Sequence, residues 1–264
     1  MMTKNDVNIV AAQGFEQAAT IYEQARPSYP NEVIDLIKSL HNKPNKIIDL
    51  GAGTGKLTRL LGPIDAREII AIEPVSKMRE NLKNIPLITK IIDATAEHIP
   101  FEDNTIDIIL CGQSFHWFAN YHALIGLNRV LKPDGLLILV WNLADNRESP
   151  WAKNISEYVD SFRSKETPRY KTMEWRKVFD DQNLFSSLQH KQFSHKQRVT
   201  RDLAINRLLS ISFIAAISSE QQKEIIEQIQ KISENVEEIQ GLEEFDLNYF
   251  TDVYWCSPLK PLPQ

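Results

Sequence analysis

Residues 47–57 read Ile47-Ile48-Asp49-Leu50-Gly51-Ala52-Gly53-Thr54-Gly55-Lys56-Leu57, an apolar run that ends in a carboxylate and enters a loop with glycine at every second position. The run predicts a buried strand, and the glycines, lacking Cβ, let backbone approach a ligand and take positive φ. Two familiar phosphate loops fail here. A dinucleotide loop needs G-x-G-x-x-G, whereas these glycines fall at 51, 53 and 55 with lysine at 56. A P-loop fails as well, because Leu50 stands where its first glycine belongs and Leu57 where a magnesium-binding Ser or Thr belongs.

Asp49 narrows the choice of ligand. Its carboxylate would repel a pyrophosphate but suits a ligand carrying an ammonium and a sulfonium group. A helix predicted after the loop would offer free N–H groups to that ligand's carboxylate. S-adenosylmethionine carries all three groups. Glu73 closes the next apolar run at the offset of a ribose-binding carboxylate, and Asp93-Ala94 closes the third, where an acid can accept the adenine amino group and a small neighbour leaves room for the base.

Outward from the loop, apolar runs at 46–50, 68–72, 88–92, 106–111 and 136–141 alternate with helix-like segments, the pattern of successive βα units. Their nearly unbroken hydrophobicity, rather than alternation, predicts a sheet covered on both faces. Ser76 is expected to cap a helix over 77–84, and Ala123, Leu124, Leu127, Val130 and Leu131 recur at helical spacing. The fold class is therefore α/β, a doubly wound, mainly parallel seven-stranded sheet whose ligand lies outside the carboxyl ends of its strands.

The whole chain, 1–264, reads as one domain. Residues 1–45 form an N-terminal helical cover, with helices at 15–23 and 32–40. Residues 46–141 form the cofactor-binding core and 142–190 a lid-like helical insertion. Residues 191–264 supply late strands at 192–199 and 249–255 that complete the sheet. Between these strands Ile225, Ile226, Ile229, Ile232, Val236 and Ile239 form an amphipathic stripe, read as a helix packed on the core.

A net charge of −5 provides no basic field for a phosphate backbone, so no nucleic-acid partner is expected. No apolar stretch approaches the roughly 20 residues that span a bilayer. The polar start Met1-Met2-Thr3-Lys4 lacks a secretory pattern, which points to a cytoplasmic protein with no membrane partner. Cys111 and Cys256 lack metal or redox spacing, and the six histidines show no HxH or HExxH, so no metal site is expected. Oligomeric state is not legible.

The sequence resembles the class I S-adenosylmethionine-dependent methyltransferases, in particular the type 11 group that includes relatives of trans-aconitate methyltransferase. The likeness runs from about Tyr22 to Asn142. It rests on Tyr22 with Arg26-Pro27-Ser28-Tyr29-Pro30, on 49–55, on Glu73-Pro74, on Asp107, on Phe115-His116-Trp117-Phe118, and on 129–135, where Asp134 replaces the family's usual glycine. The resemblance implies that Asp49, Gly51, Ala52 and Gly53 hold the methionine end of the cofactor, Glu73 and Pro74 the ribose, and Asp93 and Ala94 the adenine. It also implies that Gln113 lines the methionine pocket. From their residue types, Tyr22 and Arg26 are read as cofactor-binding, with Arg26 open to an acidic substrate or to tying down the N-terminal helix, and Trp117 and Tyr29 as walls of the acceptor pocket, with Tyr22 and Trp117 open to facing the sulfonium.

The implied function is methyl transfer to a small-molecule acceptor, at a carboxylate or hydroxyl oxygen, by in-line displacement that depends on positioning and exclusion of water. His116 is the candidate base for a hydroxyl acceptor, against a packing or substrate-shaping role. The alternatives are a non-catalytic cofactor-binding sensor or partner subunit and a methyltransferase of macromolecules. The latter is disfavoured by the charge and by Cys111-Gly112-Gln113-Ser114, where an Asn-Pro-Pro-Tyr-like motif would stand.

Overall fold

Neighbouring side chains of a strand point to opposite faces, and in the central strands both faces are apolar. The computed structural model describes residues 21, 23–147, 149–163, 168–234 and 236–260. They form one seven-stranded sheet: β1 (Lys46–Leu50), β2 (Glu68–Ile72), β3 (Lys90–Ile92), β4 (Ile106–Gly112), β5 (Leu131–Ala144), β6 (Gln189–Thr200) and β7 (Glu244–Cys256). The order is β3-β2-β1-β4-β5-β7-β6, with β7 antiparallel to both neighbours and the other pairs parallel. This is the predicted α/β, doubly wound architecture. Its switch point lies between β1 and β4, where a crevice opens beyond the strand ends.

Ile47, Ile69, Ile108 and Ile138 face α1 (Asn31–Leu40), whose Val33, Ile34 and Ile37 are buried against them. Ile48, Ile70, Ile109 and Leu137 face the other layer, formed by Ala123, Leu124 and Leu127 of α3 (Tyr121–Val130) with Trp175 and Phe185. Asn120 caps α3, its side chain accepting from the Ala123 N–H. Asp107 fastens the sheet at the end away from the crevice, accepting from the Lys46 N–H at 2.8 Å and pairing with Lys132 Nζ at 2.7 Å.

Several elements depart from the sequence reading. No α-helix follows the glycine loop. The chain makes short 3-10 turns at Thr58–Leu60 and Gly62–Ile64, since Gly62-Pro63 interrupts any longer helix. Ser76 is the first residue of α2 (Ser76–Leu82) and caps nothing. Val75 is the N-cap, and its N–H is taken by the Glu73 carboxylate at 2.9 Å. β3 is a three-residue edge strand with its isoleucines half-buried, not a strand covered on both faces. β5 begins at Leu131, so Asp134 lies in the strand, exposed, beside a register shift opposite Ile106 and Ile108. The 15–23 helix falls almost wholly outside the described residues, of which 21 and 23–25 are helical.

The 225–239 stripe divides. α7 (Ser219–Glu234) buries Ile225 and Ile229 in a separate helical cluster with Ile155 and Val159 of α4 (Pro150–Asp160), Leu208 of α5 (Arg201–Leu209) and Phe213 of α6 (Ser212–Ala215). Ile239 packs instead on Val199 and Phe245 of the β6–β7 pair. The helices therefore build a second apolar core beside the carboxyl end of the sheet.

Candidate active site

The carboxyl ends of β1, β2 and β4 form the walls of a cavity lined by Asp49, the 50–54 loop, Glu73, Pro74, Ala94, Gln113 and Trp117, among others. Parallel pairing sets Asp49 level with Ala71 of β2 and Leu110 of β4. Backbone bonds fix the loop, with the N–H groups of Gly51 and Ala52 donating to the Ile72 carbonyl at 2.8 and 3.1 Å. Gly51 (φ +66°) cannot be replaced, because a Cβ there would lie 2.6 Å from Ser114 Cβ. At Gly53 (φ +58°) a Cβ would meet open space, so that backbone borders the cavity without packing against it.

Two buried acids dominate the electrostatics. Asp49 is 1% exposed; its Oδ2 accepts from the Thr58 hydroxyl, and its Oδ1 has no hydrogen-bond partner among the described residues. Burial outweighs the Thr58 bonds and pushes its pKa up to about 6. Glu73 accepts from the Gly53 N–H at 2.8 Å through Oε2 and from the Val75 N–H through Oε1. Burial raises it to about 7, against those bonds and the nearby Arg79 charge. The Thr54 and Thr95 hydroxyls, both belonging to cavity-lining residues, are also buried and have no hydrogen-bond partner among the described residues.

Asp93 does not line this cavity. Its half-exposed carboxylate pairs with Arg79 Nη2 at 2.9 Å, while Arg79 Nη1 donates to the Glu73 and Pro74 carbonyls at 2.8 and 2.6 Å. Ala94 and Thr95 line the wall instead. Arg79 was not singled out from sequence, since a helical arginine three residues past Ser76 carries no motif. Lys56 also lines the cavity, and burial lowers its pKa.

A second cavity adjoins the first across Gln113 and Trp117, which line both. Gln113 (φ +58°) donates from Nε2 to the Asn142 carbonyl at 2.8 Å. Arg26 and His116 belong to this second cavity, whereas Tyr29 lines the first and Tyr22 lies outside the described residues. Arg26 donates through Nε to Ser210 Oγ at 2.8 Å, tying the N-terminal segment to the end of α5. His116 Nδ1 accepts from Trp141 Nε1 at 3.2 Å, and burial, with the Arg163 charge, pushes its pKa down to about 3. Among the described residues no group of His, Cys, Asp or Glu is arranged to hold a metal ion, and no helix is long and apolar enough to cross a membrane.

A doubly wound sheet with a glycine loop and two buried carboxylates at its switch point defines a protein that binds a small cofactor at the strand ends. A methyltransferase domain model matches residues 48–139. A methyltransferase-like protein of Schizosaccharomyces pombe, itself uncharacterised, is 32% identical over 90% of this chain and 92% of its own length. Among solved structures, a candidate type II methyltransferase from Anaeromyxobacter dehalogenans superposes with a TM-score of 0.68 at 18% identity, covering 90% of this chain and 99% of that one. A Bacillus subtilis protein, YcgJ, superposes with a TM-score of 0.54 at 20% identity, covering 88% and 100%. The chain belongs to the class I S-adenosylmethionine-dependent methyltransferase family.

Proposed function

We propose that this protein transfers a methyl group from S-adenosyl-L-methionine to an oxygen, carboxylate or hydroxyl, of a small-molecule acceptor by in-line displacement. The observation that carries the reading is the unpartnered, buried Asp49 Oδ1 beside a glycine loop, which an ammonium group would satisfy. The donor set fits the cofactor. Asp49, Gly51, Ala52, Gly53 and Gln113 hold the methionine end, Glu73 and Pro74 the ribose, and Ala94 with the orphaned Thr95 hydroxyl the adenine side. Asp93 acts on that wall through Arg79. The cofactor supplies an electrophilic methyl on a sulfonium.

The chain's own residues position and enclose. Gln113 and Trp117, at the junction of the two cavities, orient the acceptor, and apolar walls exclude water. His116 shapes the second cavity as a neutral ring. Placement beside trans-aconitate methyltransferase rests on the motifs between Tyr22 and Asn142 alone and carries nothing about the acceptor. Melting curves with S-adenosylmethionine, S-adenosylhomocysteine, NAD and ATP in parallel test the proposal. A rise with the first two alone is expected, and a rise with NAD instead, or with none of the four, overturns it.

A further inference from the structure

The helical core and the β6–β7 pair enclose a third cavity beside the second, and Arg207 of α5 lines both. The other arginines here are occupied. Arg163 and Arg169 share Asp160 at 3.1 and 2.8 Å, Arg198 pairs with Glu244 and Asp246, and Arg201 donates to the carbonyls of Ser233 and Ile239. Arg207 differs from them. No carboxylate lies within ion-pair distance among the described residues, its buried Nε has no hydrogen-bond partner, and its guanidinium rests 5.1 Å from the Tyr249 ring centroid. Tyr249 lines the third cavity, is 2% exposed, and its hydroxyl is likewise without a partner.

An orphaned guanidinium donor and an orphaned phenol in adjoining cavity walls call for one acceptor group that satisfies both. We infer that Arg207 and Tyr249 hold an oxyanion of the methyl acceptor, and that this group is not the atom methylated. This inference rests on the functional reading above. A cation gripping the reacting oxygen would lower its nucleophilicity, and the cofactor cavity meets the acceptor space at Gln113 and Trp117, a different part of the wall. The third cavity continues past Arg207 along Trp151, Ile155 and Phe245, an apolar wall with room for an apolar body. The acceptor class is therefore an acidic amphiphile, a carboxylate or a phosphate on an apolar frame.

The full-length protein saturated with S-adenosylhomocysteine is titrated calorimetrically with 4-phenylbutyrate, phenyl phosphate, succinate and the neutral 4-phenylbutyramide. At least one of the two aromatic acids is expected to bind better than both succinate and the amide, and the better of the two identifies the anion. Arg207→Gln is expected to weaken that acid about tenfold or more while leaving S-adenosylhomocysteine affinity unchanged, with partial recovery in Arg207→Lys. Tyr249→Phe, which keeps the ring, gives a smaller loss should the arginine variants fold poorly. The inference is overturned if the amide matches the acids, if succinate matches the aromatic acids, if no acid binds the complex, or if Arg207→Gln binds like the wild type. Failure of S-adenosylhomocysteine itself to bind sinks the cofactor reading instead, and is read before any acid is added.

Discussion

The cofactor half and the acceptor half proposed for this site are built by different logics. On the cofactor side, Asp49, the glycine loop, Glu73 and Ala94 each stand at or just past the end of a strand of one parallel sheet, so the backbone that forms the core also aims the site. On the acceptor side, Arg26, His116, Arg163 and Arg207 come from segments as far apart as the N-terminal cover and α5, and meet only through tertiary packing. The first half is rigid because it is part of the sheet. The proposed second half is set by the ends of β4 and β5 together with residues of the separate helical core.

The largest predicted effect breaks the cofactor half. Gly51→Val forces a Cβ against Ser114 at positive φ and is expected to abolish S-adenosylmethionine binding and to cost about 3 kcal/mol of stability, read by calorimetry and urea unfolding. Gly53→Ala, facing open space, is expected to cost only about 1 kcal/mol and sharpens the contrast between the two glycines.

Asp49→Asn is expected next. Asp49 and Glu73 have pKa values raised to about 6 and about 7, so the folded protein holds more protons than the unfolded chain between about pH 4 and those values. Stability of the cofactor-free protein is therefore expected to fall as pH rises from about 4 to 7. Asp49→Asn should remove part of that fall, on the order of 2 kcal/mol at pH 8, while weakening S-adenosylmethionine about tenfold or more. Stability curves and binding at pH 5 and pH 8 read both. An unchanged pH slope would show that the Asp49 pKa is not raised in the folded state. Arg79→Ala follows, expected to loosen the Glu73-Pro74 turn, cost about 1–2 kcal/mol and weaken the cofactor several-fold.

The same division explains what could be read in advance. β1 and β2 were legible to the residue because Ile47, Ile48 and Leu50, and Ile69, Ile70 and Ile72, make short apolar runs that stop at Gly51 and Glu73, and the acids proposed to hold the cofactor lie at those ends. Asp93 misled because its sequence position is a strand end, whereas its side chain is drawn outward by Arg79, a partner fourteen residues away that no local pattern announces. The helix expected after the glycine loop gave way to 3-10 turns because Gly62-Pro63 limits its length, a local signal that the strand-and-loop pattern outweighed in the reading. Arg207 and Tyr249 were invisible, since their meeting depends on α5 packing over β7 and leaves no spacing in the sequence.

The smallest predicted effect concerns His116, which lines the second cavity beside Gln113 and Trp117. Its Nδ1 accepts from the Trp141 N–H, so the neutral ring carries its hydrogen on Nε2, and that edge donates and cannot take a proton from an acceptor hydroxyl. With its pKa pushed down to about 3, the ring stays neutral across the working range. His116→Gln, which preserves a polar side chain of similar reach, is therefore expected to keep kcat within about threefold, and kcat against pH should show no inflection near 6.5 in either protein. A wild-type inflection there that disappears in His116→Gln would return His116 to the role of base. It would also mean that the acceptor, by rearranging the Trp141 contact, remakes this part of the cavity on binding.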